Sequence, residues 1–456
     1  MLLLFFGNLV VRLPFLFAGY GREEDAWAQA LNARIIWETK IYEVSRLPGH
    51  PLYELLLAGL WPINHSYLLF NGLTALVSSL SIVVFYKICR KLNLLRPFAL
   101  SIVFSFIPAF FIAGTFTIDY NFGLLFVLIS FLQLLYKRYW LVGILIGIAT
   151  GIRISHLGFL LPWAILAWSA RRDIKPVLKM GFAAGTVALV SYLPPLLTYG
   201  AEFLDFHKPP FPGWANVIYK LSFGLWGIPL LVFLVVFFIR NISKPLDFWM
   251  LRDYTIRLPK NFFLALVVIF IIQLAVFMRL PFKSEFLIPF LPFAVIYMGA
   301  ILKRKATAVL AFCSIASCFL FGFDYDNEFR GSPPSKLALT FEAGSYKVFF
   351  DPIQGPAIID HRKRLVKSEF VGEVLNWMEN QKEQAYLICG WYWPEIELRT
   401  DFPTKVKTDY YATEQELRKT QKAEKEIFYL PEINEANSKI NAHYLADSLG
   451  KPWKPE

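Results

Sequence analysis

The chain alternates between long apolar segments and shorter polar ones. An α-helix needs about twenty mostly apolar residues to cross the hydrocarbon core of a membrane, and most of these segments approach that length. They lie at 2–19, 66–86, 97–116, 122–136, 139–152, 157–170, 178–199, 219–239, 262–278, 286–302 and 306–323. The pattern therefore predicts an all-α polytopic membrane bundle with about eleven transmembrane helices.

Composition agrees with a membrane protein. Of the 456 residues, 56% are hydrophobic and only 18% are charged, which excludes an ordinary soluble globular protein. The first apolar segment is predicted to remain as a span, because no small-residue cleavage site follows it. The four cysteines lack the spacing of a disulfide framework or a zinc site.

The distribution of basic residues predicts the orientation in the membrane. Clusters of Lys and Arg occur at 87–96, 137–138, 171–179, 240–260 and 303–305. Because cytoplasmic loops are enriched in Lys and Arg, we expect these loops and the N-terminus to be cytoplasmic, in a plasma, inner or endoplasmic reticulum membrane. The net charge of +11 is then explained by topology, and we expect no nucleic-acid partner.

The composition changes at residue 324, so we divide the chain into a transmembrane domain, 1–323, and a tail, 324–456. The tail has no segment that could span a membrane. Alternation of apolar and polar residues predicts strands at 336–342 and 384–390, and helical periodicity predicts helices at 364–381 and 413–425. We expect a small soluble α/β domain, which an odd number of spans places on the extracytoplasmic side.

The longest polar stretch of the transmembrane domain, residues 20–54, is predicted to be an outer loop. Within it Ala26, Ala30, Ala33 and Trp37 recur at helical spacing, which predicts a helix lying in the membrane interface. The interpretation of this loop as a functional element depends on the charges at its two ends.

Three adjacent carboxylates, Glu23, Glu24 and Asp25, stand at the start of this helix. Adjacent carboxylates repel one another, so a cation, a metal or a protonated group should lie nearby. A simpler interpretation is a solvated helix start, where acidic residues favour the positive end of the helix dipole. Arg46, His50 and Glu54 close the loop.

Other ionisable residues fall in predicted outer turns: Asp119, Arg153, His156, Arg279, Lys283 and Glu285. Taken singly, each has a structural explanation. Asp119 is typical of a turn or helix cap, an arginine at the end of a span can snorkel, and Lys283 could form a surface ion pair with Glu285. Alternatively, Arg279 and Lys283 could hold a phosphate at the membrane surface.

Three segments resemble motifs of the GT-C glycosyltransferases, in the order and topology expected of that family. EDAW at 24–27 is similar to the acidic motif of the first outer loop. SRLPGHPLYE at 45–54 resembles the region that follows it in one branch, and KSEFLIP at 283–289 resembles a late segment at an outer span end. The family comprises integral-membrane enzymes that use polyprenyl-phosphate sugars, including protein O-mannosyltransferases and aminoarabinose transferases.

The resemblance implies transfer of a sugar, of hexosyl or mannosyl type, from dolichyl or undecaprenyl phosphate to a hydroxyl of a protein, lipid or glycan. Asp25 would be the catalytic base, with Glu24 as the substitute candidate. The expected substrate-binding residues are Asp119, Arg46, His50, Glu54, Arg153, His156, Arg279, Lys283 and Glu285. No organic cofactor is implied. If a divalent cation such as Mg²⁺ or Mn²⁺ is used, Asp25 and Asp119 would bind it.

A multi-span transporter or lipid flippase is the main alternative function. Such proteins place ionisable residues near the bilayer midplane and often contain repeated halves. Here the charged residues lie towards one face, and the sequence contains no visible repeat. A cavity open at the outer interface would favour the transferase, whereas a polar path through the bundle centre would favour transport.

Overall fold

The structure is a computed structural model that describes residues 1–204, 211–241, 258–325, 332–344, 346–423, 425–430 and 451–453. Most of the basic loop predicted at 240–260 lies outside these residues, as does the end of the tail apart from its last short strand.

The described residues of the transmembrane domain form helices joined by loops. Its α-helices are α1 (Leu2–Arg12), α2 (Glu24–Thr39), α3 (Pro51–Leu60), α4 (Tyr67–Lys91), α5 (Pro97–Ser105), α6 (Pro108–Ala113), α7 (Tyr120–Leu135), α8 (Tyr139–Ile152), α9 (Leu160–Arg171), α10 (Lys175–Tyr199), α11 (Trp214–Leu221), α12 (Phe223–Trp226), α13 (Ile228–Asn241), α14 (Phe262–Arg279), α15 (Leu291–Ile301) and α16 (Arg304–Phe319). Short 3₁₀ helices lie at Leu13–Phe15, Ile154–Phe159, Gly200–Leu204 and Ser284–Phe290.

Four helices in the described part of the chain are long and apolar enough to cross a membrane: Tyr67–Lys91, Lys175–Leu204, Phe262–Arg279 and Ser284–Ile301. A fifth span is possible if Trp214–Trp226 and Ile228–Asn241, which meet at an angle of 99°, act as one broken crossing. Shorter apolar helices accompany them. The chain is therefore an integral membrane protein, while the count of about eleven spans stays a prediction.

The close packing of α8 against α10 fixes the position of the turn that follows α8 and contains Arg153. Gly143, Gly147 and Gly151 follow one another at intervals of four residues along α8, and a Cβ built on any of them would come within 2.4 to 2.6 Å of an atom of α10. Small residues at this spacing let membrane helices approach closely. The last of these glycines is two residues before Arg153, so the packing fixes where that arginine emerges.

The described residues of the tail form two small sheets and three α-helices. Its elements are β1 (Gly322–Tyr325), β2 (Leu339–Ala343), β3 (Tyr346–Asp351), α17 (Pro356–Asn380), β4 (Ala385–Ile388), a 3₁₀ helix (Gly390–Tyr392), α18 (Trp393–Arg399), β5 (Val406–Asp409), α19 (Glu414–Lys422), β6 (Glu426–Tyr429) and β7 (Lys451–Pro452). The first sheet is antiparallel in the order β1-β3-β2, and the second is parallel in the order β5-β4-β6-β7. The predicted strands and helices of the tail are confirmed, although α17 begins eight residues before its predicted start.

A buried arginine attaches the tail to the transmembrane domain. Arg364 of α17 donates hydrogen bonds to the carbonyl oxygens of Phe15 and Thr115, both at 3.2 Å, and to the Thr115 hydroxyl at 2.8 Å. Its charge is balanced by Asp360, one turn earlier, at 2.8 Å. The guanidinium thus satisfies backbone acceptors in two separate loops of the transmembrane domain.

We predict that Arg364→Ala weakens the attachment of the tail. The substitution leaves two carbonyl groups and the Asp360 carboxylate without this donor, and loss of one partner of a buried ion pair costs about 3 kcal/mol or more. Thermal unfolding of the detergent-purified protein should begin at a lower temperature, with faster proteolysis between the two domains. Arg362→Ala, at a half-buried arginine of the same helix that donates to the carbonyl oxygen of Pro333 within the tail at 3.3 Å, is the matched control. Equal behaviour of the two variants would contradict the assignment.

Candidate active site

The helix predicted in the outer loop is present as α2, and its first turn contains Glu24 and Asp25. The alanine face is buried: Ala26, Ala30 and Ala33 are all 0% exposed. These small side chains let α2 pack closely against α3 on one side and α18 of the tail on the other. Trp37 differs from the prediction, because it is exposed and does not share the buried alanine face.

Each of the three adjacent carboxylates has a donor partner that relieves the repulsion among them, and Glu23 and Asp25 share Lys283. Asp25 Oδ2 contacts the guanidinium of Arg46 and the ammonium of Lys283. Glu23 Oε2 accepts a hydrogen bond from Lys283 Nζ at 2.5 Å. Burial alone would raise the pKa of Glu23, but Lys283 and Arg22 outweigh it and lower that pKa to about 2.

Glu24 has a partner of another kind. Its Oε2 accepts a hydrogen bond from the hydroxyl of Tyr410, a residue of the tail, at 2.7 Å. The cations of the transmembrane domain are therefore directed to Asp25 and Glu23, and Glu24 is held by a neutral donor. The two catalytic candidates lie in different electrostatic surroundings although they are neighbours in sequence.

Asp119 is a fully buried anchor behind these residues. Its two oxygens accept hydrogen bonds from Arg153 at 2.7 Å, from Arg46 at 3.2 Å and from Gln29 at 3.1 Å. Burial would raise the pKa of Asp119, but Arg153, His50 and Arg46 hold it well below its usual range. The side chain makes no capping hydrogen bond to α7, so its role is not the helix cap that sequence alone suggests.

Arg46 connects the buried anchor to the catalytic candidates. One terminal nitrogen of Arg46 contacts Asp25, the other donates to Asp119, and Nε donates to His50 Nε2 at 3.0 Å. His50 Nδ1 lies 2.9 Å from the carbonyl oxygen of Ile152, which fixes the neutral tautomer with its proton on Nδ1. Burial, reinforced by Arg46 and Arg153 against the opposing effect of Asp119, lowers the pKa of His50 to about 3.

Glu54, predicted to bind substrate, instead holds the loop that presents Arg46. The carboxylate is 0% exposed. It accepts hydrogen bonds from the backbone and hydroxyl of Ser45, from the hydroxyl of Tyr42 at 2.5 Å and from the backbone of His50 at 3.1 Å. With these four donors, Glu54 folds residues 42–50 into one fixed shape.

Two cations of the site occupy equivalent positions in different turns. Arg153 precedes the 3₁₀ helix Ile154–Phe159, and Lys283 precedes the 3₁₀ helix Ser284–Phe290. Each 3₁₀ helix runs directly into an α-helix, so both cations lie at a helix N-terminus, whose positive end disfavours positive charge. Arg153 also caps the C-terminus of α8, where the negative end of the dipole favours a cation. The carboxylate partners Asp119 and Asp25 stabilise both charges.

These groups surround a cavity of about 710 Å³. Of the eleven candidate residues, seven line it: Glu24, Asp25, Arg46, His50, Arg153, Arg279 and Lys283. An apolar wall is supplied by Val276, Leu280 and Phe286 at the end of α14 and the turn that follows it. The cavity thus combines carboxylates, cations and an apolar surface, and all its charged residues come from predicted outer turns.

The remaining candidates lie elsewhere. Asp119 and Glu54 are buried behind the cavity, and His156 is buried with its ring against Gly123 of α7. Glu285 lines a separate, smaller cavity of about 90 Å³ with Arg22 and Lys220. The ion pair between Lys283 and Glu285, considered from sequence, is not formed, because Lys283 contacts Glu23 and Asp25 instead.

Tyr410 and Tyr411 line the cavity but were not among the predicted site residues. They belong to the turn after β5 in the tail, almost four hundred residues from α2 along the chain. Neither periodicity nor motif spacing carries information about a contact of that sequence separation, so the sequence offers no signal for it.

The described residues do not form a divalent-cation site around Asp25 and Asp119. No group of three or more His, Cys, Asp or Glu is arranged to hold a metal within the part of the chain that the structure covers. Arg46 lies between the two carboxylates and contacts both, and both oxygens of Asp119 are occupied by nitrogen donors. A guanidinium therefore occupies the position that a bridging cation would need.

No protein-family model matches the sequence, and no curated protein matches it significantly. Two solved structures are similar in fold. ArnT from Cupriavidus metallidurans bound to undecaprenyl phosphate gives a TM-score of 0.51 at 10% identity, covering 99% of this chain and 89% of that chain. The same protein in the apo state gives a TM-score of 0.50 at 11% identity, covering 99% and 88%. The expectation is therefore confirmed at the level of fold: this chain has the fold of ArnT.

Proposed function

We propose that this protein is an integral-membrane glycosyltransferase that moves a sugar from a polyprenyl phosphate to an acceptor hydroxyl on the extracytoplasmic face. The observation that carries the proposal is the single cavity in which Asp25 and Glu24 face Arg46, Arg153, Arg279 and Lys283 beside an apolar wall. A lipid-linked sugar has an apolar tail, an anionic phosphate and a polar sugar, and the cavity offers a complementary surface to each.

The donor would lie with its isoprenoid chain against Val276, Leu280 and Phe286. Its phosphate would then meet Arg279, which precedes Leu280 at the end of α14, and Arg153. An arginine fork suits phosphate oxygens and remains charged at any physiological pH. ArnT, which shares the fold, is known in a structure with undecaprenyl phosphate, and this supports a donor lipid of the same class here.

Asp25 would act as the general base. As the acceptor oxygen forms its bond to C1 of the sugar, the bond between C1 and the phosphate oxygen breaks, and the acceptor proton passes to the Asp25 carboxylate. The electron pair of the broken bond remains on the phosphate, where Arg153, Arg279 and Lys283 would stabilise the charge that develops. No step of this mechanism involves a metal ion.

Exchange of ion-pair partners would couple donor binding to activation of the base. In the structure Asp25 is engaged by both Arg46 and Lys283, and a carboxylate so engaged is a poor proton acceptor. A donor phosphate entering the cavity would draw Lys283 towards itself. Asp25 would then lose one of its two cations and become available to the acceptor hydroxyl only when the donor is present.

The position of the charged residues favours this function over transport. A transport path would require ionisable groups near the middle of the spans, whereas the charged residues that line the cavity come from the loop 20–54, from the turn after α8, and from the last residue of α14 and the turn after it. The positive-inside asymmetry assigns these turns to the extracytoplasmic side. The same asymmetry places the N-terminus in the cytoplasm and the tail outside.

The direct test uses the purified full-length protein and a panel of radiolabelled polyprenyl-phosphate sugars, with membranes of the expression host as a source of acceptors. Release of one label from the lipid would identify the sugar. Retention of every label on its lipid would refute the proposed function.

We predict that Asp25→Asn abolishes transfer. Asparagine keeps the size of the side chain but cannot accept the acceptor proton, so the rate should fall about 10³-fold, within the range of general-base catalysis. The rate is measured as label released from the donor, and circular dichroism checks the fold. Glu38→Gln, near the exposed end of the same helix, should keep full activity. An Asp25→Asn protein with normal turnover would remove Asp25 from the mechanism.

We predict that Arg279→Gln weakens donor binding more than it slows chemistry. Glutamine keeps hydrogen-bonding capacity but loses the charge that holds the phosphate, so KM for the donor should rise about tenfold, corresponding to roughly 1.4 kcal/mol. Initial rates at varied donor concentration give this value. Arg138→Gln, which removes an exposed arginine in the turn between α7 and α8, should leave KM unchanged. An unaltered KM in Arg279→Gln would exclude Arg279 from the phosphate site.

A further inference from the structure

The tail reaches into the cavity through one turn. Tyr410 and Tyr411 lie directly after β5, and both line the cavity. The Tyr410 hydroxyl donates to Glu24 Oε2 at 2.7 Å. The two tyrosine rings are nearly perpendicular, with centroids 6.1 Å apart. A soluble appendage of the membrane bundle thus supplies two side chains beside the catalytic candidates.

This turn is fixed by backbone hydrogen bonds between the ends of β4 and β5. The carbonyl oxygen of Tyr410 accepts a hydrogen bond from the Gly390 backbone at 3.0 Å, and that of Asp409 accepts one from the Cys389 backbone at 2.9 Å. Gly390 has a φ of +55°, a conformation that favours glycine. Because the ends of β4 and β5 are tied together in this way, Tyr410 is presented by the parallel sheet itself.

The tail is also attached to the helix that holds Glu24. Lys367 Nζ donates to the carbonyl oxygen of Arg22 at 3.1 Å, just before α2. Further along, Arg34 of α2 donates to the backbone oxygen of Glu397 in α18 at 3.3 Å. These two contacts hold α2 against the tail, so the hydrogen bond between Tyr410 and Glu24 is one of several that join them.

The result is that the two neighbouring carboxylates are oriented by different domains. Asp25 is held by Arg46 and Lys283 of the transmembrane domain, whereas Glu24 is held by Tyr410 of the tail. Without a donor at Glu24, that carboxylate would be available to compete with Asp25 for the nearby cations. A phenol hydroxyl bound to Glu24 orients it without adding charge to the cavity.

We propose that Tyr410 is a positioning residue for the acceptor: it fixes Glu24 so that this carboxylate receives a hydrogen bond from the acceptor hydroxyl while Asp25 takes the proton. The tail thereby forms the acceptor side of the active site, whereas the apolar wall of the bundle would take the donor lipid. This inference rests on the proposed function and extends it, because it assigns a role in acceptor placement to a domain outside the membrane bundle.

The test compares Tyr410→Phe with wild type in two assays on the full-length protein. Binding of undecaprenyl phosphate alone reports the donor side, and transfer of label from the polyprenyl-phosphate sugar reports turnover. Loss of the Glu24 hydrogen bond should lower transfer about 10- to 100-fold, the scale expected when a reacting group is misplaced. The dissociation constant of undecaprenyl phosphate should not change.

Three further variants separate positioning from a structural role. Tyr346→Phe, at an exposed tyrosine of β3 in the other sheet of the tail, is the matched control; its transfer rate should stay normal. Glu24→Ala should lose activity, and Tyr410→Phe combined with Glu24→Ala should be no slower than Glu24→Ala alone, since Tyr410 acts through Glu24.

The outcomes distinguish this inference from the function on which it rests. If wild type neither binds undecaprenyl phosphate nor releases any label, the proposed function is wrong. If wild type is active and Tyr410→Phe transfers at the wild-type rate, the function stands and the positioning role is wrong. The role is also overturned if Tyr410→Phe loses undecaprenyl phosphate binding, or if the two substitutions at Tyr410 and Glu24 reduce the rate additively.

Discussion

The site depends on one buried carboxylate. Asp119 is 0% exposed, and its carboxylate accepts hydrogen bonds from Arg153, Arg46 and Gln29. Removing an ionised group from water costs several kcal/mol, so such a group persists only where its partners are positioned well. These partners come from the turn after α8, from the loop 42–50 and from α2. The requirement to satisfy Asp119 therefore brings α2 and the loop that follows it together with the turn after α8, which is distant from them in sequence.

Arg46 transmits this constraint to the cavity. One side of its guanidinium satisfies Asp119, and the other contacts Asp25. The loop that presents Arg46 is itself held by the four hydrogen bonds that Glu54 accepts. Two buried carboxylates thus act through one arginine on a third that lines the cavity. The buried acids Asp119 and Glu54 thus fix the position of Arg46, and Arg46 in turn fixes the position of Asp25 in the cavity.

The sequence predicted the helical bundle, the α/β tail and the helix in the outer loop, because hydrophobic periodicity reports local structure directly. It also predicted that the candidate acids and cations lie on one side of the membrane, because the distribution of Lys and Arg among the loops follows topology. It did not distinguish Asp25, which lines the cavity, from Asp119 and Glu54, which lie behind it. Depth depends on the packing of neighbouring helices, and no local pattern encodes that. The contribution of Tyr410 was missed for the same reason.

The bundle and the tail supply different parts of the cavity lining. Val276, Leu280 and Phe286 form its apolar wall and belong to the bundle, whereas Tyr410 and Tyr411 belong to the tail, whose described residues contain no helix long and apolar enough to cross a membrane. A reaction between a membrane lipid and a polar acceptor needs one surface of each kind, meeting at the reacting atoms. The junction between them is the first turn of α2, where Asp25 is bound by the bundle and Glu24 by the tail. Adjacent positions on one helix keep these two carboxylates close together, so in the proposed reaction the bundle would hold the donor and the tail the acceptor without separating the reacting groups.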